Sequence, residues 1–225
     1  GPIGFRTALA YSSNTFFYHT GMTIGHEQIA QWAYKLGLGG KKLNLLGIPS
    51  AYNGLIPTEE DKRRIYNDAW YLGDTITMAI GQGLVLVTPL ELATATATIA
   101  NSGKQVTPHL FAHETNSPEM KPIPIGLKPE YVNTIKKGMI DVVEYGTAQL
   151  LNDGTIPLTG GKTGTSEVMG QKSHSLYVGF GPAEESKIAI AVIVENGGYG
   201  SFSAAPVAKK VFQTYFSKYS QAKLN

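Results

Sequence analysis

Two strand-like runs on either side of a short polar turn set the tightest limit on how this chain folds. Ser175 to Phe180 and Lys187 to Glu195 both carry the composition of strands, and Pro182 to Ser186 between them marks a reversal. Parallel neighbours need a long crossover, so this spacing specifies an antiparallel hairpin. A third strand candidate covers about 159–167. Helical patterns surround these strands. His26 to Leu36 places Ile29, Ala30, Ala33 and Leu36 on one face and runs into Gly37, Gly39 and Gly40. Thr88-Pro89 opens a second helix, with Thr as N-cap and Pro at the first helical position, and Asn101-Ser102-Gly103 closes it. Pro129 opens a third, in which Val132, Ile135, Met139 and Val142 or Val143 recur at helical spacing up to Tyr145-Gly146. A last helix from about Ala205 to Tyr219 puts Ala208, Val211, Phe212, Tyr215 and Phe216 on one face.

The remaining segments are less regular. Lys104 to Glu114 reads as a strand, and Pro118, Pro122 and Pro124 make an irregular connector. Residues 48–75 hold Pro49, Pro57, a charged cluster from Glu59 to Arg64 and Tyr66, Trp70 and Tyr71 without a clear period, which predicts a long excursion. The fold class is therefore α+β, an antiparallel sheet with helices packed on it, rather than a doubly wound parallel fold.

Composition removes several functions. Lys+Arg 19 against Asp+Glu 17 leaves +2, with no block of five like charges, so nucleic acid is not an expected partner. The absence of cysteine excludes disulfides, thiolate metal sites and a cysteine nucleophile. No His/Asp/Glu cluster has metal-ligand spacing, and no cofactor is expected. The longest strongly apolar run, Ile188 to Val194, falls far short of the about 20 residues that span a bilayer. Gly1 begins the sequence without methionine or a signal peptide, which leads to the expectation of an excised piece of something longer.

Two short strings carry the chemistry. Ser12-Ser13-Asn14 interrupts an otherwise apolar segment, where polar side chains need partners; alone it fits a turn or a helix cap better than a catalytic site. Gly161-Lys162-Thr163-Gly164-Thr165-Ser166 lies on a predicted strand, and a Lys-Thr-Gly-Thr string arises by chance on the order of once in several hundred proteins of this size. A lysine beside two hydroxyls offers a cationic anchor for a carboxylate, and glycine in a strand admits a close neighbour. Gly154 is out of register for a phosphate loop ending in Gly161-Lys162-Thr163, and Gly81-Gln82-Gly83 lacks the third glycine of a dinucleotide site. His174 reads as a structural histidine, and Glu167 and Glu195 as solvent-facing charges rather than a carboxylate pair.

At these strings the sequence resembles the penicillin-binding protein transpeptidases, whose three motifs are Ser-x-x-Lys, Ser-x-Asn and Lys-Thr-Gly. The last two stand here in order. Gly54-Leu55-Ile56-Pro57, Trp70 to Thr75, Ile80 to Gly83, Thr88 to Ala93, His174 to Phe180 and Val194 to Gly198 resemble the monofunctional, elongation-type branch and extend the likeness over nearly the whole chain. The resemblance implies a transpeptidase-like fold and a serine that attacks the carbonyl of a D-Ala-D-Ala stem peptide, releases D-Ala and passes the acyl group to an amine of a neighbouring strand. It implies that Ser12 relays a proton to the leaving amine, and that Asn14 holds the acyl donor's amide. It implies that Lys162 draws the substrate carboxylate, which the Thr163 and Thr165 hydroxyls bind. The Thr165 N–H would form half of the oxyanion hole, and Gly164 would keep the strand open.

The Ser-x-x-Lys motif is the exception. Its one match, Ser220-Gln221-Ala222-Lys223, stands at the very end and is rejected as the nucleophile. The expectation is that residues 1–225 are the C-terminal part of a single transpeptidase domain, with the nucleophile, a membrane anchor and an incomplete helical subdomain's remainder in a missing N-terminal segment. The implied partners are peptidoglycan stem peptides, β-lactams and a membrane glycosyltransferase, on the periplasmic side of the inner membrane. A serine β-lactamase would need a water-activating residue, and the Glu-x-x-Leu-Asn pattern of one such class is absent. A noncatalytic domain of the same fold would not need Ser12, Asn14, Lys162 and Thr165.

Overall fold

The computed structural model describes residues 1–39 and 53–221. In chain order the elements are α1 (Phe5–Ala10), α2 (Asn14–Ile24), α3 (His26–Lys35), α4 (Glu59–Tyr66), α5 (Leu72–Met78), α6 (Pro89–Ala100), β1 (Lys104–Gln105), β2 (Ile123–Pro124), α7 (Pro129–Glu144), β3 (Gly160–Ser166), β4 (His174–Gly181), β5 (Ile188–Val194) and α8 (Ala204–Gln221). The chain divides into two compact units, one of Gly1–Ser12 with Lys128–Asn225 and the other of Ser13–Leu127.

The first unit is built on an antiparallel sheet in the order β3-β4-β5. Lys162 stands opposite Val178, Thr165 opposite Ser175 and Tyr177 opposite Val192. Helix α7 packs along β3, α8 packs on β4 and β5, and α1 packs on α7. Val142, Val143, Leu151, Tyr177 and Phe212 meet in one buried core, where each large side chain contributes about 1.5–3 kcal/mol relative to exposure. Helix α1 carries Arg6, whose Nε and Nη2 each donate at 2.6 Å to the buried Asp141 of α7. This two-pronged pairing satisfies a carboxylate that could not otherwise stay buried, and it fixes α1 along α7.

Strand β3 begins with two glycines for a steric reason. A Cβ on Gly160 would lie 2.4 Å from the Phe180 ring, and one on Gly161 would lie 2.0 Å from Tyr177 Oη and 2.8 Å from the Val178 carbonyl. The fully buried rings of Tyr177 and Phe180 therefore occupy the space that side chains on β3 would need.

The second unit holds α2 to α6 and the β1–β2 ribbon, around a small core of Ala30, Ala33, Ile56 and Met78. Helix α6 starts as its sequence dictates: Thr88 Oγ1 accepts from the Glu91 N–H, and Glu91 Oε2 accepts from the Thr88 N–H at 2.7 Å. The same buried carboxylate also accepts from the N–H groups of Gly54 at 3.0 Å and Gly39 at 3.1 Å. One side chain thus caps a helix and ties two distant stretches of backbone to it.

The three expected strands, their hairpin pairing and the helices at 26–36, 88–101, 129–144 and 205–219 stand within a residue or two of their expected places. Three expectations need correction. The segment 48–75 is not wholly irregular: Glu59–Tyr66 is helical and Leu72–Met78 begins within it, joined by irregular stretches, while 48–52 lie outside the described residues. Thr58 and Asp61 form a capping box, acidic residues fill the first turn of α4, and Lys62 Nζ donates at 2.6 Å to Asp74 of α5, so the charged cluster is a capped helix. Lys104 to Glu114 pairs only at Lys104 and Gln105, against Pro124 and Ile123, because Pro108 breaks the run and 112–114 form a 3₁₀ turn. Val211, placed on the inner face of α8, is 40% exposed, while Ala208 and Phe212 are buried. Among the described residues no helix is long and apolar enough to cross a membrane.

The crowding at β3 yields a stability prediction. Gly161→Ala lowers unfolding free energy by about 1–3 kcal/mol, because neither the Tyr177 ring nor the Val178 carbonyl can withdraw. Gly73→Ala, in α5 with open space around the new methyl, is neutral or stabilising by up to about 1 kcal/mol. Urea unfolding of the two variants checks both; equal midpoints would contradict the steric account.

Candidate active site

The residues singled out in the first unit converge. Lys162 is the third residue of β3, and its partly buried ammonium donates to Ser12 Oγ at 2.7 Å and to the Thr163 carbonyl at 2.8 Å. Ser12 is delivered by the turn that ends α1: its N–H donates to the Leu9 carbonyl at 3.2 Å, and its φ is 54°. That left-handed conformation is uncommon for any residue but glycine and costs on the order of 1 kcal/mol. The turn holds it because α1 is anchored on both sides, by Arg6 to Asp141 and by the Ala10 carbonyl to the Thr147 N–H at 3.1 Å.

Next along the strand, Thr163 is nearly buried, and its hydroxyl meets the Thr147 hydroxyl at 2.6 Å. Gly164 lies open: the one atom within 4 Å of a Cβ built there, beyond its chain neighbours, is Leu176 Cβ at 3.3 Å. Thr165 Oγ1 accepts from the Gly200 N–H at 3.4 Å. Gly200 is held there by Ser175 of β4, whose buried hydroxyl donates to the Tyr199 carbonyl at 3.0 Å and accepts from the Ala204 N–H at 2.9 Å. A side chain on Gly200 would strike the Gly164 carbonyl at 2.4 Å, so glycine is required for this loop to lie against β3.

Burial pushes Lys162 down from the usual 10.5 to about 8. At neutral pH it is mainly an ammonium ion that donates to Ser12. Above pH 8 it is mainly an amine with a lone pair, able to accept the Ser12 proton. A group able to hold charge beside a carboxylate and to exchange a proton with a hydroxyl suits both anion recognition and proton relay.

Asn14 is the first residue of α2, with an exposed side chain, and belongs to the second unit. The Nδ1 of His174 accepts from the Asn196 N–H at 2.9 Å, a structural role. Glu167 and Glu195 are both exposed. Helix α8 continues through Ser220 to Gln221, so that serine does not follow the closing helix, and Ala222 and Lys223 lie outside the described residues. Sequence reasoning missed Thr147, Ser175 and Gly200. Gly146 was legible as a helix stop, but nothing in the pattern paired the next residue with a strand 16 positions on.

Comparison with known proteins places the chain among transpeptidase domains. The family model for the penicillin binding protein transpeptidase domain matches residues 1–213. The peptidoglycan D,D-transpeptidase MrdA of Acinetobacter baumannii is 37% identical over 94% of this chain and 34% of its own length. The solved structure of Pseudomonas aeruginosa PBP2 is 35% identical over 95% of this chain and 47% of that one, with a TM-score of 0.84. Helicobacter pylori PBP2, solved as a complex with MreC, is 28% identical over 97% of this chain and 40% of that one, with a TM-score of 0.85. The chain thus spans between about a third and a half of the length of these relatives. The likeness places its fold with the transpeptidase domains, a mixed α+β architecture.

The depressed Lys162 gives a prediction with a definite sign. Its ε-methylene resonance titrates with a midpoint near pH 8 in the folded protein, and a midpoint above 10 would show a solvated amine. Because the folded form releases this proton before the unfolded chain does, stability rises between pH 8 and 10.5. Below pH 8 the cost of burying the charge is felt in full. Lys162→Met lacks this rise, which unfolding curves at pH 7.5 and 10 would detect as a smaller change than in the parent.

Proposed function

This chain belongs to the penicillin-binding protein transpeptidase family, and on that premise we propose that it forms part of a peptidoglycan D,D-transpeptidase that joins stem peptides and is acylated by β-lactams. The observation that carries the reading is the 2.7 Å contact from Lys162 Nζ to Ser12 Oγ, which joins two motifs 150 residues apart. In the first half-reaction a serine Oγ attacks the carbonyl of the penultimate D-Ala. Its proton leaves, the ester forms, and D-Ala departs as an amine that takes up a proton. In the second half-reaction an acceptor amine attacks that ester, the amide forms and the serine recovers its proton.

Within this scheme Ser12 relays the proton to the leaving amine, supported by its hydrogen bond to a lysine whose charge is lost near pH 8. Lys162, Thr163 and Thr165 bind the terminal carboxylate of the donor, Asn14 holds its amide, and the Thr165 N–H contributes to the oxyanion hole. One such donor is typically worth about 3 kcal/mol of barrier. Gly164 leaves room for the donor's backbone to lie along β3, in keeping with the open space beside it.

The nucleophile belongs to a Ser-x-x-Lys segment outside these 225 residues, a reading supported by the greater length of the relatives and by the lack of that motif at residues 1–219. The same segment carries the membrane anchor that keeps the domain on the extracytoplasmic side. Cross-linking consumes strands that a polymerising membrane glycosyltransferase must supply, so such an enzyme is the expected partner. The Helicobacter pylori relative was solved with a second protein, MreC, which fits a working assembly.

Acylation tests this. Intact-mass measurement after incubation with benzylpenicillin is expected to show one adduct on the complete protein and none on residues 1–225; an adduct on a serine of this chain would refute the proposal. In the complete protein Ser12→Ala lowers the acylation rate about 100-fold, the scale of a lost proton relay. A rate unchanged by that substitution would remove Ser12 from the mechanism.

A further inference from the structure

The geometry points to Thr147 as a positioning residue that sets the distance and alignment between the Ser12 turn and the Lys162-Thr163 strand. Its two polar groups face those two elements. The N–H donates to the Ala10 carbonyl at 3.1 Å, two residues before Ser12, and the hydroxyl meets Thr163 Oγ1 at 2.6 Å. Lys162 then closes the circuit by donating to Ser12 Oγ at 2.7 Å and to the Thr163 carbonyl at 2.8 Å. The circuit runs from Ser12 through Ala10, Thr147, Thr163 and Lys162 back to Ser12. Each link is a hydrogen bond or a short stretch of covalent chain, and Thr147 is the member whose N–H and hydroxyl reach both sides.

The approach of these elements is tight by construction. Gly146 precedes Thr147, and a Cβ there would come within 2.3 Å of the Ala10 carbonyl and 2.8 Å of Val142 Cα. The end of α1 therefore rests on the turn that follows α7, and Ala10 is fully buried. Thr147 cannot move without moving the carbonyl that precedes the Ser12 turn.

The direction of the hydroxyl contact follows from what Thr163 must do. A carboxylate only accepts hydrogen bonds, so Thr163 serves it only by donating its own proton. Thr147 must then donate to Thr163 Oγ1, and the two hydroxyls form a relay, Thr147 to Thr163 to carboxylate, in which the first bond strengthens the second. Without Thr147 the Thr163 hydroxyl turns freely, and its buried lone pair loses its donor.

This inference rests on the reading that Lys162 and Thr163 receive a carboxylate, and the test separates the two. In the complete protein, acylation rates are measured with benzylpenicillin and with its methyl ester, which lacks the anionic acceptor. The parent is expected to prefer the acid. Thr147→Val, nearly isosteric and without a hydroxyl, lowers the rate with the acid about tenfold, the scale of one charge-assisted hydrogen bond, and leaves the ester rate within about twofold. Thr147→Ser, which restores the hydroxyl, returns the preference to within about twofold of the parent.

A parent that does not distinguish acid from ester overturns the carboxylate reading, and this inference with it. A parent that distinguishes them as well as Thr147→Val does overturns the role of Thr147 alone. Equal loss with both substrates marks a general disturbance and counts against it too. Thr147→Ala removes the hydroxyl without new branching and is measured beside Thr147→Val. If both lose their cooperative thermal transition while Thr147→Ser keeps it, the hydroxyl is needed for folding rather than alignment, and the inference fails.

Discussion

An amine held out of water must have acceptors, and in this protein the whole arrangement around β3 answers to that requirement. Lys162 could reach solvent on its four-carbon stem, but it is folded back onto Ser12 Oγ and the Thr163 carbonyl. Burial costs the ammonium form enough to bring its titration near pH 8. Two acceptors, one of them on its own strand, keep the charged form in place at neutral pH. The second acceptor is a side chain from the other end of the sequence, so the desolvated lysine ties the first residues of the chain to its sheet.

That tie works because neither partner is free to adjust. Ser12 is held at positive φ by a helix that an internal ion pair locks to α7. Lys162 is held by a strand whose first two residues lie under aromatic rings of β4 and whose later residues lie against the loop at Gly200. Close packing turns small distances into fixed ones: at Gly146, Gly161 and Gly200 even a methyl group would have to displace backbone. Rigid elements on both sides are what allow a hydrogen bond between flexible side chains to persist at 2.7 Å.

How much of this could be read from the sequence depended on whether the signal was local. The hairpin of β4 and β5, the capped start of α6 at Thr88-Pro89 and the apolar spacing of α7 are each set by neighbours in sequence, and each stands where expected. Helix α4 was passed over because its stabilisation is ionic rather than apolar; Thr58, Asp61 and Lys62 carry it, and an apolar period is absent. The segment after Gly103 looked extended, but Pro108 limits pairing to two residues. At the site, Ser12 and Lys162 were legible as members of motifs, whereas Thr147, Ser175 and Gly200 act through contacts made only after folding. Glycine in a strand signals a close neighbour, and Gly164 is expected to keep β3 open. The space beside Gly164 is open, whereas the close neighbours of Gly160 and Gly161 are the rings of Phe180 and Tyr177.

In the proposed reaction the same lysine faces two demands that pull its charge in opposite directions. A bound carboxylate favours the ammonium and draws its titration upward, so anion binding takes up a proton whenever the empty site has lost one. Relaying a proton from Ser12 needs a lone pair, which the amine has and the ammonium lacks. With the empty site balanced near pH 8, neither form is far out of reach at neutral pH, and a modest change in the surroundings is enough to shift between them. In the proposed reaction, arrival of the anion would hold Lys162 charged while the substrate is oriented. Charge developing at Ser12 as its proton moves away would then be stabilised by that ammonium at hydrogen-bonding distance, in a setting where little water screens it. A fully solvated lysine would bind the anion with a screened charge, and a fully neutral one would not bind it, so partial burial is what suits one residue to both of the proposed roles.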